Sequence, residues 1–447
     1  MVISATITGP QKQADPRWSL GAALAGLPLA LIAVGPALVA GVNGRSLPVY
    51  ASQIAVAVLV VHIGFSVIAQ RSYGELPVTM RWLLVATALL AIPLIWSTDP
   101  GAGVLAYFNF ASGTVGGIAI ALVWKSMSEG YSWIDIGYIA FLIAGTAQLL
   151  VRYSGASSVN SLHQSSPMPW GVSSVVAGGL VVAALTVIAR SASLVRYRKL
   201  VVTAGLVAIA VALLTLTRGA IIAAGVGAVV FLWARSAKHR PRQLRPGKAQ
   251  PRKNDTKDGV RILLRVLALC VPVAVFIGIE RATALRAQLD RQVHTNIDIR
   301  FEMYRLAWEE FLRNPLTGTG WASFREVSLD ATGQSETFAH NLVVSMFQIG
   351  GLLSIPYLVA LSFLAYRAMR HGGPYTAAVA AAIAISMTQP FFESTVCNLI
   401  VLPIALLAGV ATTTSPEIGG CRTVVPPTGS TRTRLRPTRR KRRGLTS

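Results

Sequence analysis

Apolar runs close to the ~20 residues needed to cross a bilayer alternate with short polar turns along most of this chain. They fall around 20–40, 51–70, 80–97, 102–124, 132–151, 171–189, 200–217, 219–234, 262–279, 342–366, 374–391 and 395–412. The pattern predicts an all-α polytopic membrane protein of about twelve transmembrane helices. The runs at 200–217 and 219–234 together greatly exceed one crossing, and Thr217-Arg218-Gly219 interrupts them with a charge, so two helices and a tight turn are expected there. Composition agrees. Of 447 residues 53% are apolar and 13% charged, which excludes an ordinary soluble domain.

Charge orients the spans, because cytoplasmic connections collect lysine and arginine. With the N-terminus inside, the inner connections hold Arg71 and Arg81, Lys125, Arg190 to Lys199, ten basic residues between Arg235 and Arg261, and Arg367 and Arg370. The short outer turns carry little beyond Arg45, Asp99, Arg152, Arg218 and Glu393. The expected order is a cytoplasmic segment 1–18, eight spans over 19–234, a basic cytoplasmic loop 235–261 and a ninth span 262–279. An extracytoplasmic loop 280–341, three spans within 342–412 and a basic cytoplasmic tail 413–447 complete it. Both termini are thus expected in the cytoplasm, and the chain in the inner membrane.

The net charge of +23 suggests nucleic acid until it is located. Outside the 235–261 loop and the tail the excess is only +7. Both segments are proline-rich and weakly apolar, which predicts disorder against anionic lipid. With no aromatic interleaving or recognition helix, nucleic acid is not expected as a partner. Cys270, Cys397 and Cys421 have neither metal-ligand spacing nor a disulfide framework, and the first apolar run lacks a small-residue cleavage site, so it reads as a retained span.

The 280–341 loop is a long charged insertion on the outer side, with seven arginines and the histidines His294 and His340. Group transfer on the outer face cannot draw on cytoplasmic ATP, so its donor must arrive activated, as a glycan joined through phosphate to a long lipid. Departure of a lipid phosphate needs its charge offset, and a planar guanidinium can grip two phosphate oxygens. Arg218 ends a span and reads either as an interface residue reaching for water or as a phosphate ligand. Arg300 opens a stretch in which Phe301, Tyr304, Trp308, Phe311 and Leu312 recur at helical spacing, predicting an amphipathic helix with that apolar face over the spans. At the first turn of that helix Arg300 would stand beside free backbone amides that favour anions. Arg305 and Arg313 are weaker candidates on the same helix. Asn314-Pro315 stops it, and the glycines of Thr317-Gly318-Thr319-Gly320-Trp321 permit a sharp return. His340 is the candidate base toward an acceptor hydroxyl, since imidazole changes charge near neutral pH. Asn341 would orient it or bind a hydroxyl. Tyr304, Trp308 and Trp321 read as sugar-stacking or membrane-anchoring rings, and Asp99 as an outer-turn helper. No metal-ligand motif is present, and neither metal nor cofactor is expected.

Three segments together resemble the O-antigen ligase and O-antigen polymerase-like membrane proteins of bacterial envelopes. They are Leu216-Thr217-Arg218-Gly219-Ala220, Arg300 through Trp308 leading to Asn314-Pro315-Leu316-Thr317-Gly318-Thr319-Gly320, and His340-Asn341 with Gly351 ten residues on. Trp96-Ser97-Thr98-Asp99-Pro100 is a weaker fourth. The resemblance implies a metal-independent inverting glycosyltransferase of the multi-span, GT-C-like kind. Its donor would be an undecaprenyl-pyrophosphate-linked glycan and its acceptor a hydroxyl on a glycan, lipid or other envelope component. Pyrophosphate binding would fall on Arg218 and Arg300, and service of the acceptor on His340. Three residues after Gly351, where the ligase pattern has glycine, threonine or tyrosine, stands Ser354, which leaves a polymerase branch open. A twelve-span transporter would instead need ionisable groups near the bilayer midplane, and a structural protein would need the amphipathic helix but not His340.

Overall fold

Most of the apolar runs that the structure, a computed structural model, describes are helical. The structure describes residues 19–42, 45–69, 76–125, 132–155, 173–191, 197–215, 217–238, 293–332, 338–371, 375–389 and 395–410. The ninth predicted span, Cys270, Cys421, the tail and most of the basic loop lie outside them. The helices are α1 Leu20–Leu31, α2 Ala51–Ile68, α3 Val78–Leu89, α4 Pro100–Lys125, α5 Trp133–Gly155, α6 Ser173–Arg190, α7 Arg198–Leu214 and α8 Arg218–Lys238. After the undescribed stretch come α9 Val293–Arg313, α10 Phe324–Thr332, α11 Leu342–Gly350, α12 Ile355–His371, α13 Thr376–Ser386 and α14 Thr395–Val410. Five helical stretches are long and apolar enough to cross a membrane: Ala51–Ile68, Val78–Trp96, Pro100–Lys125, Trp133–Val151 and Leu342–Arg370. Shorter apolar stretches, Leu20–Val34, Val175–Arg190, Arg218–Ala234, Thr376–Ser386 and Asn398–Leu407, accompany them.

Two departures from a uniform set of helices matter. The first run does not continue to residue 40. Its helix passes into a 3-10 turn, Ile32–Val34, and stops at Gly35, whose φ of 85° is the left-handed conformation glycine tolerates. The chain then forms an antiparallel hairpin, β1 Pro36–Val42 with β2 Arg45–Tyr50, in which Ala40 pairs with Leu47 and Val42 with Arg45. The sequence between the strands is Asn43-Gly44, the dipeptide that favours two-residue hairpin turns, so this element had a readable signal that hydropathy masked.

In the third run, α3 gives way at Leu90 to a 3-10 turn, Ile92–Trp96. Pro93 lacks the amide an α-helix would need at that point. The carbonyl of Leu90, released from the helical ladder, accepts the indole N–H of Trp321 at 2.7 Å.

Small residues set the closest helix approaches. A Cβ built on Gly117 would come 2.7 Å from Leu402 Cβ and 2.9 Å from the Asn398 carbonyl, so α4 and α14 touch nearly backbone to side chain. The alanine-rich α13, with Ala377, Ala378, Ala380, Ala381 and Ala382 all buried, lies against α6, α8, α12 and α14. Such short side chains let one helix be enclosed by several.

Helix ends collect in two groups. At one, Asp135 at the start of α5 pairs with Arg190 at the end of α6 at 2.9 Å, and Arg190 lies 5.7 Å from the Trp124 ring at the end of α4. Tyr375, just before α13, stands 5.9 Å from the same ring. At the other lie the α3–α4 turn, the α7–α8 turn, the approach to α11 and the end of α13, where the candidate residues are found.

Candidate functional site

The C-terminal turn of α13, Met387-Thr388-Gln389, is the platform on which the three sequence motifs meet. The carbonyl of Thr388 accepts Nη1 of Arg300 at 3.1 Å, and the carbonyl of Met387 accepts Nδ2 of Asn341 at 3.2 Å. Gly219 packs on the same turn: a Cβ built there would lie 3.0 Å from Thr388 Oγ1 and 3.1 Å from Gln389 Cγ. Arg218, at the first position of α8, is within electrostatic reach of Arg300. Tyr304, one helical turn after Arg300, donates its hydroxyl to the His340 carbonyl at 3.4 Å. Arg218, Arg300, Tyr304, His340 and Asn341, drawn from three separate parts of the chain, therefore share one neighbourhood.

The electrostatics of this place favour an anion. Arg300 lies at the carbonyl end of α13, where the helix dipole favours a cation by roughly 0.3–1 kcal/mol. Arg218 has no such support. It opens α8, at the helix end whose free amides and dipole attract negative charge, and its own Nε is buried without a hydrogen-bond partner. A half-buried guanidinium with an unmet donor, a like charge nearby and a helix N-terminus beneath it is an arrangement that attracts an anion. Burial pushes the Tyr304 hydroxyl above its ordinary range, and the Arg300 charge pulls it back only in part. The phenol therefore keeps its proton at neutral pH and serves as a hydrogen-bond donor.

His340 is set by its backbone. Its φ of 59° is unusual for a residue with a Cβ, and Asn341 follows in extended conformation. The Asn341 Oδ1 caps α11 by accepting the amides of Val343 at 3.1 Å and Val344 at 3.3 Å, and the Ala339 amide donates to Ser345 Oγ at 3.1 Å. Both ends of the Asn341 amide are thus used in holding the turn. The imidazole is half-buried, with Nδ1 inside the protein.

The glycines of the second and third motifs join the loop to α11. The Thr319 amide donates to the Gln348 carbonyl at 2.8 Å, that of Gly320 to Ile349 at 3.0 Å, and that of Leu352 to Pro315 at 2.9 Å. Gly318, Gly320 and Gly351 all have positive φ and stand where a Cβ would strike backbone atoms. Ser354, the departure from the ligase pattern, is buried and donates to the Gly351 carbonyl at 2.6 Å, closing the same turn.

Several expectations need correction. Helix α9 begins at Val293, so Arg300 lies about two turns inside it rather than at its amide end, and the support for its charge comes from α13. The packed face of α9 is Ile299, Met303, Tyr304, Leu306 and Ala307, whereas Phe301, Trp308 and Leu312 are 65%, 45% and 59% exposed. The small Ala307 allows close approach, and large apolar side chains on the surface of a membrane protein need not face its core. Trp321 is fully buried, with Tyr107 and Phe110 rings at 5.6 and 5.3 Å, and has no face for a sugar. Arg305 is held on the exposed surface by Glu302 and Glu309. Asp99 caps α4, its Oδ1 accepting the Ala102 amide at 3.1 Å. The neighbouring Ser97 and Thr98 bond to Trp321 and Ser323, so this turn braces the loop. Arg313 pairs with the buried Glu310. Among the described residues no three His, Cys, Asp or Glu side chains group to hold a metal ion.

The platform itself was missed. Met387 and Thr388 act through backbone carbonyls, which no side-chain motif reveals.

Fold and site together define a multi-pass helical membrane protein with two arginines brought together at one end of its helices. The family model described as O-antigen ligase matches residues 203–359, a segment that holds all three motifs, so the chain is O-antigen ligase-like there. No curated protein matches the chain. The 387–389 turn and Asp99 lie outside the matched segment.

Proposed function

We propose that the protein is a metal-independent inverting glycosyltransferase, with some twelve spans in the inner membrane. It transfers a glycan from a polyprenyl-pyrophosphate-linked donor to an acceptor hydroxyl on the extracytoplasmic face. The observation that carries this reading is the meeting of Arg300 and Asn341 on the carbonyls of Thr388 and Met387, with Gly219 beside them. Arg218 and Arg300 grip the pyrophosphate and offset its charge as the anomeric C–O bond breaks. The electron pair of that bond leaves with the lipid diphosphate. The acceptor oxygen, whose proton passes to His340, forms the new bond from the opposite face of the sugar. Tyr304 donates a hydrogen bond that holds the His340 backbone.

The test is transfer from a purified lipid-linked glycan by the reconstituted full-length protein. His340→Ala is expected to lower turnover by roughly a hundredfold or more while leaving the donor concentration at half-saturation nearly unchanged. Turnover equal to wild type removes His340 as the base. Product lengths from the same assay divide the two branches: one added block means ligation, a ladder means polymerisation.

A further inference from the structure

Helix α9 is divided lengthwise into three sectors. Met303, Tyr304 and Ala307 form one cluster with Phe324 and Val327 of α10 and Val344 of α11. Glu302, Arg305 and Glu309 make an ion-paired row on the solvent side. Between the two lie Phe301, Trp308 and Leu312, apolar and exposed, within about 40° of one another at ~100° per residue. From Phe301 to Leu312 this stripe is roughly 16 Å long at ~1.5 Å per residue. A helix that packs by one face and otherwise meets only water needs no third, apolar sector.

The stripe runs into the side of a span. The Trp308 ring lies 6.4 Å from that of Phe347, and the Phe311 ring lies 5.0 Å from each of them. Phe347 belongs to the Leu342–Arg370 stretch, which is long and apolar enough to cross a membrane, and it lines a surface groove with Ile355, Val359, Phe363 and Tyr366. All four of these are exposed. Beyond the end of α9 the Leu352 amide donates to the Pro315 carbonyl at 2.9 Å, which ties the turn bearing the exposed Leu316 to Leu352, exposed on the same stretch. One apolar surface thus extends from α9 to α12 through two separate contacts. Apolar side chains scattered singly on a surface need no explanation, but a continuous surface of this kind marks an interaction site. Its α12 part names the occupant, because side chains exposed on a membrane span meet lipid.

We infer that α9 lies in the plane of the bilayer surface, with Phe301, Trp308 and Leu312 seated among the lipids and Glu302, Arg305 and Glu309 turned to water. The partner of this face is the lipid surface itself. Trp308 suits that boundary, where aromatic rings concentrate, and the charged row suits the water above it. Arg300 stands one residue before Phe301 on the same helix, so the contact fixes the depth at which its guanidinium works. This seating is independent of the reaction the site performs.

Nitroxide labels on the full-length protein in nanodiscs, its three cysteines replaced by serine, test the seating. The labelled variants are Phe301→Cys and Leu312→Cys on the stripe, Arg305→Cys on the charged row and Val359→Cys on the span. Collisions are read with oxygen, which concentrates in hydrocarbon, and with a nickel chelate, which stays in water. The labels at 301 and 312 are expected to favour oxygen, as at 359, and to lie ~5–10 Å into the boundary of head groups and acyl chains, while that at 305 favours nickel. Nickel reaching either stripe label as freely as the label at 305 puts the face in water. Neither reagent reaching them means that protein, a second copy included, covers the stripe. Either result overturns the inference, whatever the outcome of the transfer assay.

Discussion

Arg218 shows how a residue can be conspicuous in sequence yet ambiguous until its surroundings are known. A charge at the end of an apolar run is compatible with an interface side chain reaching for water. In the fold its Nε is buried and unmet, and Arg300 acts on it from the second motif. Arg218→Lys keeps the charge but loses the fork that can grip two phosphate oxygens at once. It is expected to raise the donor KM about tenfold or more, with folding unchanged, as read from donor titrations and thermal unfolding. An unchanged donor dependence would remove Arg218 from the pyrophosphate site. The two tryptophans mark the limit of residue-level reading. Trp308 and Trp321 have the same chemistry and both sit in the loop, but one is exposed on α9 and the other is locked to the Leu90 carbonyl. Only the break in α3, caused by a proline far away in sequence, made a carbonyl available for Trp321.

Among elements, the existence of the helices was readable and their limits were less so. Hydropathy located α2 to α8 and α12 to α14 because crossing a bilayer demands long apolar helices with every backbone group bonded internally. It could not show that α1 ends in a hairpin, since β1 is as apolar as the helix before it. The periodicity of α9 was real, but its packed face was misassigned because the helix has apolar residues on two sides. The return loop after α9 was better marked: its glycines serve the turn that the sequence expected of them. Gly351→Ala places a Cβ 2.5 Å from the Pro315 carbonyl oxygen and 2.6 Å from the Gly318 nitrogen at a φ of 53°. That substitution is expected to cost about 2 kcal/mol or more, seen as a lower Tm, and to reduce transfer by loosening the α11 segment that follows His340.

At the scale of the molecule, helix ends gather into two sets, one around Asp135, Arg190 and Tyr375 and the other around the α13 platform. The orientation expected from the lysines and arginines of the connections is open to a direct test. In a chain whose three cysteines are replaced by serine, Arg313→Cys is expected to react with a membrane-impermeant maleimide added to intact cells. Lys125→Cys is expected to react only after permeabilisation. The reverse pattern would put the site on the cytoplasmic side and remove its proposed chemistry. Sequence alone determined that this is a helical membrane protein with a charged insertion, and it singled out Arg218, Arg300 and His340. Hydrophobic length, charge bias and short motifs are local properties, carried by neighbouring residues. The tertiary structure decided that the segments carrying these three meet at the turn after α13, and that Trp321 locks the loop to the break in α3. Those outcomes depend on carbonyl groups and helix ends, which come together only where distant segments pack.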